Sequence, residues 1–248
     1  MKNQVLFILA TALVLGLGTG CRHAAAFELL KDPPTHATTV LYDITDPMES
    51  RPDATSIVNR FGFDDKDKYD GFRLRIRRLS DVHLTTVYDT SLPAQNSLMG
   101  DDMKRVAAVK GFRKRALTLV DSLGREKIGD KRHSVLYRTI AEELNHLADV
   151  SASSKLCIIY SDLAENSGEA NFYDSSTRAK LRQDPQAIAR QLEKVVPLND
   201  LKGIKVVVIY TPSSYEEEQR FNDIFPLYKM MLESKGASIN AEANLTTQ

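Results

Sequence analysis

The chain has no tryptophan, only two cysteines, and no surplus of either charge, with Lys+Arg 33 against Asp+Glu 33. Two thiols cannot build a disulfide-rich scaffold. A formal net charge of zero removes the electrostatic footprint of a general nucleic-acid binder, and no nucleic-acid partner is expected. Neither GxGxxG nor GxxxxGK[ST] occurs, which argues against dinucleotide or P-loop chemistry, and no small-molecule substrate is expected. Hydrophobic residues make up 42% of the 248 positions, an ordinary globular content that excludes wholesale disorder and a polytopic membrane protein. The length suits one large α/β domain or two small ones.

The N-terminal MKNQVLFILATALVLGLGTGC has one cation, Lys2, followed by an uncharged apolar run from Val5 to Thr19. A bilayer-spanning helix takes roughly 20 apolar residues. This run is shorter and ends in Gly16, Gly18 and Gly20, the pattern of an export signal. The small residues before Cys21 resemble the lipobox of bacterial lipoproteins, whose cysteine is acylated and becomes the mature N-terminus. The match departs at Gly18, where that family prefers Leu; Leu17 stands one place earlier. The resemblance implies a signal over 1–20, lipidation at Cys21, and an extracytoplasmic protein held to a bacterial envelope membrane by its lipid. Residues 21–37 then form a tether stiffened by Pro33-Pro34. Cys157, in SKLCIIY, reads as a small hydrophobe in a buried strand.

Beyond the tether, strand and helix patterns alternate. TTVLYDIT (38–45) is β-branched and apolar. In DGFRLRIRRLS (70–80), Phe72, Leu74 and Ile76 alternate with Arg73, Arg75 and Arg77, which predicts a half-exposed strand near a sheet edge. HLTTVYDT (83–90) follows almost at once, so it returns antiparallel. Val109, Phe112, Ala116, Leu119 and Val120 fall at helical spacing, as do Leu136, Ile140, Leu144 and Leu147. SKLCIIYSD (154–162) and IKVVVIYT (204–211) are continuous apolar runs, as in central parallel strands covered on both faces. Asp184-Pro185 opens a helix with Ile188 and Leu192 inward. A last helix, bent by Pro226, runs from Ser214 to Lys235 and stops at Gly236, followed by a strand over 237–241. The predicted fold class is α/β, a doubly wound, mostly parallel six-stranded sheet with one antiparallel hairpin edge strand. One domain covers 38–242, and 243–248 is a polar tail.

In such sheets ligands bind beyond the carboxyl ends of the strands, where strand order reverses. Two strands end in rich polar clusters: Asp43-Ile44-Thr45-Asp46-Pro47, and Ser161-Asp162-Leu163-Ala164-Glu165-Asn166-Ser167. If these strands are neighbours, Asp43 and Asp162 converge. Hard oxygen ligands without Cys or His favour Mg²⁺ or Ca²⁺ over zinc.

The run hhhhDxTxP, a β-hairpin, a helix entered through Ser134-Val135-Leu136, and hhhYSDLxENS together resemble the von Willebrand factor type A family, in particular its divergent bacterial lipoprotein members. The likeness covers residues 38–240. It implies a metal-ion-dependent adhesion site in which Asp43 is the leading Asp of Asp-x-Ser-x-Ser, Thr45 the first hydroxyl, Ser134 the distant Thr and Asp162 the closing Asp. Pro47 stands where the second hydroxyl belongs and offers no side-chain oxygen. Asp46 reads either as a further metal ligand or as a helix N-cap, with Pro47 at the first helical position and Glu49 completing a capping box.

Other constellations are weaker. A phosphoaspartyl hydrolase carries Asp-x-Asp, and here the third position is Thr45. Glu142, Glu143 and His146 share one helix face, read as solvated. Residues adjacent in sequence, such as His133 and Ser134, seldom form a nucleophile pair. KRVAAVKGFRKR (104–115) with Arg73, Arg75 and Arg77 reads as a solvated basic face or, on a lipoprotein, as a headgroup contact. The sequence therefore predicts a non-enzymatic binding or adaptor module for an envelope protein partner. A metal-assisted hydrolase using the same carboxylates and a scaffold with a vestigial site are the alternatives.

Overall fold

A computed structural model describes residues 35–45, 51–60, 68–80, 85–96, 100–123 and 134–245. The residues read as an export signal, Cys21, Asp46, Pro47 and His133 lie outside these residues. The described strands are β1 (Thr35–Asp43), β2 (Gly71–Leu79), β3 (Val87–Leu92), β4 (Ser154–Tyr160), β5 (Ile204–Ile209) and β6 (Ser238–Glu242). They form one six-stranded sheet in the order β3-β2-β1-β4-β5-β6. Every neighbouring pair is parallel except β2 with β3. The fold is therefore α/β and Rossmann-like, with a mixed, mostly parallel sheet. The helices are α1 (Ala54–Asn59), α2 (Asp102–Leu123), α3 (Leu136–Asp149), α4 (Ser175–Gln183), α5 (Pro185–Glu193) and α6 (Tyr215–Ser234).

Strand periodicity divides the core in two. In β1, Ala37 and Leu41 point to one face and Val40 and Tyr42 to the other; in β4, Cys157 and Ile159 oppose Ile158 and Tyr160. The first face is covered by α3, α5 and α6 through Leu144, Leu192 and Tyr228, among others. The second is covered by α1 and α2 through Ile57, Phe112 and Val120. Burial on both faces is why β4 and β5 read as unbroken apolar runs. Each such Leu, Ile or Phe removed from water contributes about 1.5–3 kcal/mol.

Helix ends follow local chemistry. Asp53, Asp174, Asp184 and Ser214 each accept a backbone N–H of the first turn of α1, α4, α5 and α6 respectively, satisfying an orphan donor. Pro185 occupies the first turn of α5, and Pro226 lies within α6, which continues through it. α6 ends at Gly236, whose φ of 89° is costly for a residue with a side chain. A Cβ there would also stand 3.2 Å from Lys202 Cα.

Several expectations need correction. β1 begins at Thr35, inside the segment read as tether, because it pairs from its first residue with Gly71. α1 and α4 were not legible: α1 has only six residues, and α4 buries Leu181 alone. On the face bearing Glu142, Glu143 and His146, Glu143 is enclosed rather than solvated, while the Glu142 side chain stays 40% exposed. Glu143 is 1% exposed and accepts from Arg75 Nε at 2.6 Å and from Arg77 Nη1 at 3.1 Å, while Glu142 accepts from Arg77 Nη1 at 2.9 Å. Arg75 and Arg77 thus project toward α3, on the sheet face opposite α2. They form no common basic surface with residues 104–115.

Candidate functional site

The strand order reverses between β1 and β4: the chain proceeds from β1 outward to β2 and β3, then returns to β4 and proceeds the other way. Tyr42 pairs with Tyr160 at the carboxyl ends of these neighbours, so the chain leaves both strands at one rim. Asp43 ends β1 and is 1% exposed; Ser161 and Asp162 follow β4 and are equally enclosed. The two polar clusters therefore meet, as the sequence predicts.

Asp43 organises the rim. Its Oδ1 accepts from the Thr45 amide at 2.9 Å and from Thr45 Oγ1 at 2.6 Å, and its Oδ2 accepts from Ser161 Oγ at 2.7 Å. Thr45 Oγ1 in turn lies 3.0 Å from Ser134 Oγ. The structure thereby brings Ser134, eighty-nine positions along the chain, to the hydroxyl of Thr45. Ser134 is fixed by a two-way backbone bridge with Asn166, at 3.1 and 2.8 Å.

Asp162 has different partners. Its Oδ1 accepts from the Ala164 amide at 2.9 Å, and its Oδ2 faces Arg220 Nη2 at 3.3 Å. The Arg220 guanidinium also lies over the Tyr173 ring, 4.7 Å from its centroid, a geometry that favours a cation. Burial and the nearby carboxylates of Asp162 and Glu217 push the Tyr210 phenol upward, so it stays protonated. Between Asp162 and Ala164, Leu163 holds φ at 61° while fully buried. Left-handed backbone at a bulky residue stores roughly 1–3 kcal/mol, sustained only where its surroundings fix it.

Glu165 completes the rim. The first residue before α3, Val135, provides no side-chain cap. Glu165 instead accepts from the Leu136 and Tyr137 amides, both at 2.8 Å, and so satisfies that helix N-terminus from another loop. Burial pushes its carboxyl above the usual carboxylate range despite these donors.

Four of the five metal candidates, Asp43, Thr45, Ser134 and Asp162, are thus placed at one rim, and Asp46 lies outside the described residues. Among the described residues no group of three His, Cys, Asp or Glu side chains could hold a metal; any cation here would rely on hydroxyls. Thr45 Oγ1 and Ser134 Oγ, 3.0 Å apart, are themselves joined by a hydrogen bond.

Ser161, Glu165 and Arg220 were not anticipated in their roles. Ser161 and Glu165 were visible inside a polar cluster. Arg220, in the helical run EEEQR, carried no local signal.

No family model matches the chain, and no curated protein matches it. Among solved structures, one similar chain is the pilus adhesin SpaC from Lactobacillus rhamnosus GG in its open conformation, at 13% identity and a TM-score of 0.36. That likeness covers 87% of this chain and 29% of the adhesin, so the chain spans under a third of its length. A superposition of this quality bears on neither residue roles nor function.

Proposed function

We propose that this chain is a lipid-anchored, extracytoplasmic binding module with a doubly wound von Willebrand A-like fold. On this reading the loops bearing Asp43, Thr45, Ser134 and Asp162 contact an envelope protein partner. The observation that carries it is the hydrogen-bonded chain Ser161–Asp43–Thr45–Ser134 at the point where strand order reverses, the place where open α/β sheets recognise ligands. A divalent cation, Mg²⁺ or Ca²⁺, would be held by Thr45 and Ser134 with Asp43 and Asp162 beside them. When bound, it supplies positive charge that an acidic side chain of the partner can complete. Asp43 orients the Thr45 hydroxyl, and Ser161 holds Asp43 in place. The anchor is proposed at Cys21.

A second reading has its own support. Both carboxylates already accept loop amides, and Arg220 neutralises Asp162, which suits a scaffold with a vestigial site. Calorimetric titration of the detergent-solubilised full-length protein with Mg²⁺, Ca²⁺ and Mn²⁺ separates the two. Binding heat that disappears in Asp43→Ala supports the adhesion-type site; heat unchanged in that variant, or none in the parent, leaves the scaffold. Cross-linking in native envelopes then identifies the partner. Turnover of phosphoester or peptide substrates, lost in Asp162→Ala, would instead favour a hydrolase.

A further inference from the structure

We infer that the amino edge of the sheet is a membrane-contact surface, with the first turn of α2 seated in the headgroup layer of an anionic bilayer. The inference rests on the anchor proposed at Cys21.

Met103 is 84% exposed and Val106 40%, one turn apart at the start of α2. With Ala107, Lys110 and Lys114 they fall on one outward stripe at spacings of three and four residues. Phe112, Ala116, Val120 and Leu123 occupy the opposite, buried stripe. α2 therefore carries apolar side chains on both faces, and no described element covers the outer set. Soluble surfaces tolerate single exposed apolar residues, but a cluster at one tip marks a contact.

The position of that tip is fixed by hydrogen bonds. Asp102 accepts from Lys68 Nζ and from the Tyr69 hydroxyl, and Arg105 donates to the carbonyls of Lys68, Asp70 and Pro93. Those residues flank the start of β2 and the end of β3. Gly71 at the start of β2 pairs with Thr35 at the start of β1. The chain thus enters the fold on the same edge that carries Met103. Thirteen residues lie between Cys21 and Thr35, a reach of at most about 50 Å. A lipid at Cys21 brings this edge within reach of the bilayer, and contact through α2 would turn the rim of Asp43 and Ser161 away from it, toward a partner.

Charge along the stripe matches a lipid interface. Lys110 and Lys114 lie on the stripe and are exposed, whereas Arg105 is buried against backbone carbonyls. Asp102 is paired with Lys68, and Asp101 accepts the Met103 and Lys104 amides. Lys110 lies two turns beyond Met103, about 10 Å along the axis. Apolar side chains at the tip followed by lysines one headgroup depth behind them suit acyl boundary and phosphate in turn.

The test uses the full-length acylated protein reconstituted into vesicles of phosphatidylcholine, with or without phosphatidylglycerol, containing lipids with a fluorescence quencher. A fluorophore is placed at Ala107→Cys or, at the opposite edge, at Tyr215→Cys; Cys157 is buried and escapes labelling. Several-fold quenching at position 107 in the anionic vesicles, little at 215, and loss of quenching with Met103→Asp/Val106→Asp or Lys110→Glu/Lys114→Glu support the inference. Protein that floats with vesicles yet shows equal or no quenching at 107 overturns it and leaves the anchor standing. Cross-linking of position 107 to a protein in native envelopes, without lipid quenching, reassigns the face to a protein partner. Failure to float removes the anchor and this surface together.

Discussion

Ser161 Oγ donates to Asp43 Oδ2 at 2.7 Å while accepting the Leu163 amide at 2.9 Å, so one hydroxyl joins the end of β1 to the turn after β4. Both of its bonds are buried. Ser161→Ala takes a donor from Asp43 and the acceptor from a buried N–H. The expected loss is about 1–3 kcal/mol, the cost of stranding buried polar groups. Urea unfolding followed by circular dichroism measures it, and a loss near zero would show that water replaces the hydroxyl.

Among the described residues, Glu165 is the acceptor for the Leu136 and Tyr137 amides at the entry to α3. Glu165→Ala should cost about 1–3 kcal/mol by leaving those donors unmet, whereas Glu165→Gln keeps an acceptor and removes a buried charge. The sign of the pH dependence follows from the raised carboxyl. Its stabilising share is full below the ordinary value of 4.5 and declines as pH rises through the higher folded value. The stability difference, Glu165→Gln minus parent, should therefore grow between pH 4 and neutrality. A flat difference would mean that the carboxyl titrates normally.

Glu143 accepts from both Arg75 and Arg77 at 1% exposure. Glu143→Leu removes the enclosed partner of both guanidinium groups, while Arg75 keeps Asp89 and Arg77 keeps Glu142, and should cost about 1–3 kcal/mol. Adding Arg75→Leu should recover part of that loss, and a double-mutant cycle in urea reads the coupling. Additive losses would place the energy in packing.

Cys157 is fully buried, and burial pushes its thiol well above the ordinary value. A thiol reagent at pH 8 should leave it unmodified in the native protein and modify it only as the fold opens. A modification rate that follows denaturant through the unfolding transition is the expected result; rapid labelling in buffer would indicate local opening of β4.

Much of this architecture was readable from residue pattern. The apolar runs of β4 and β5, the alternation in β2 and the Asp184-Pro185 helix start are local signals, and each appears at its expected place. The meeting of Asp43 and Asp162 at one rim was legible because each follows an apolar run that ends a central strand. What escaped was decided by contacts between distant segments. Glu143 looks solvated on its own helix and is buried because β2 presents Arg75 to it. Arg220 reaches Asp162 from α6, fifty-eight positions further along the chain. Glu165 caps a helix that begins twenty-nine residues before it, where no local capping rule would look.

β1 lies at the centre of the sheet, yet its partner β4 arrives only after the intervening hairpin and the three described helices α1, α2 and α3. The bond from Ser161 to Asp43 closes a loop of 118 residues. Such distant pairings are slow, because chain entropy is lost before the contact repays it. The rim therefore exists only once both halves of the sheet have joined. A truncated or half-assembled chain could keep its β2–β3 hairpin and α2 but would hold no assembled Asp43–Thr45–Ser134 cluster, so under the proposed function a partner docking at this rim would also read whether folding has finished.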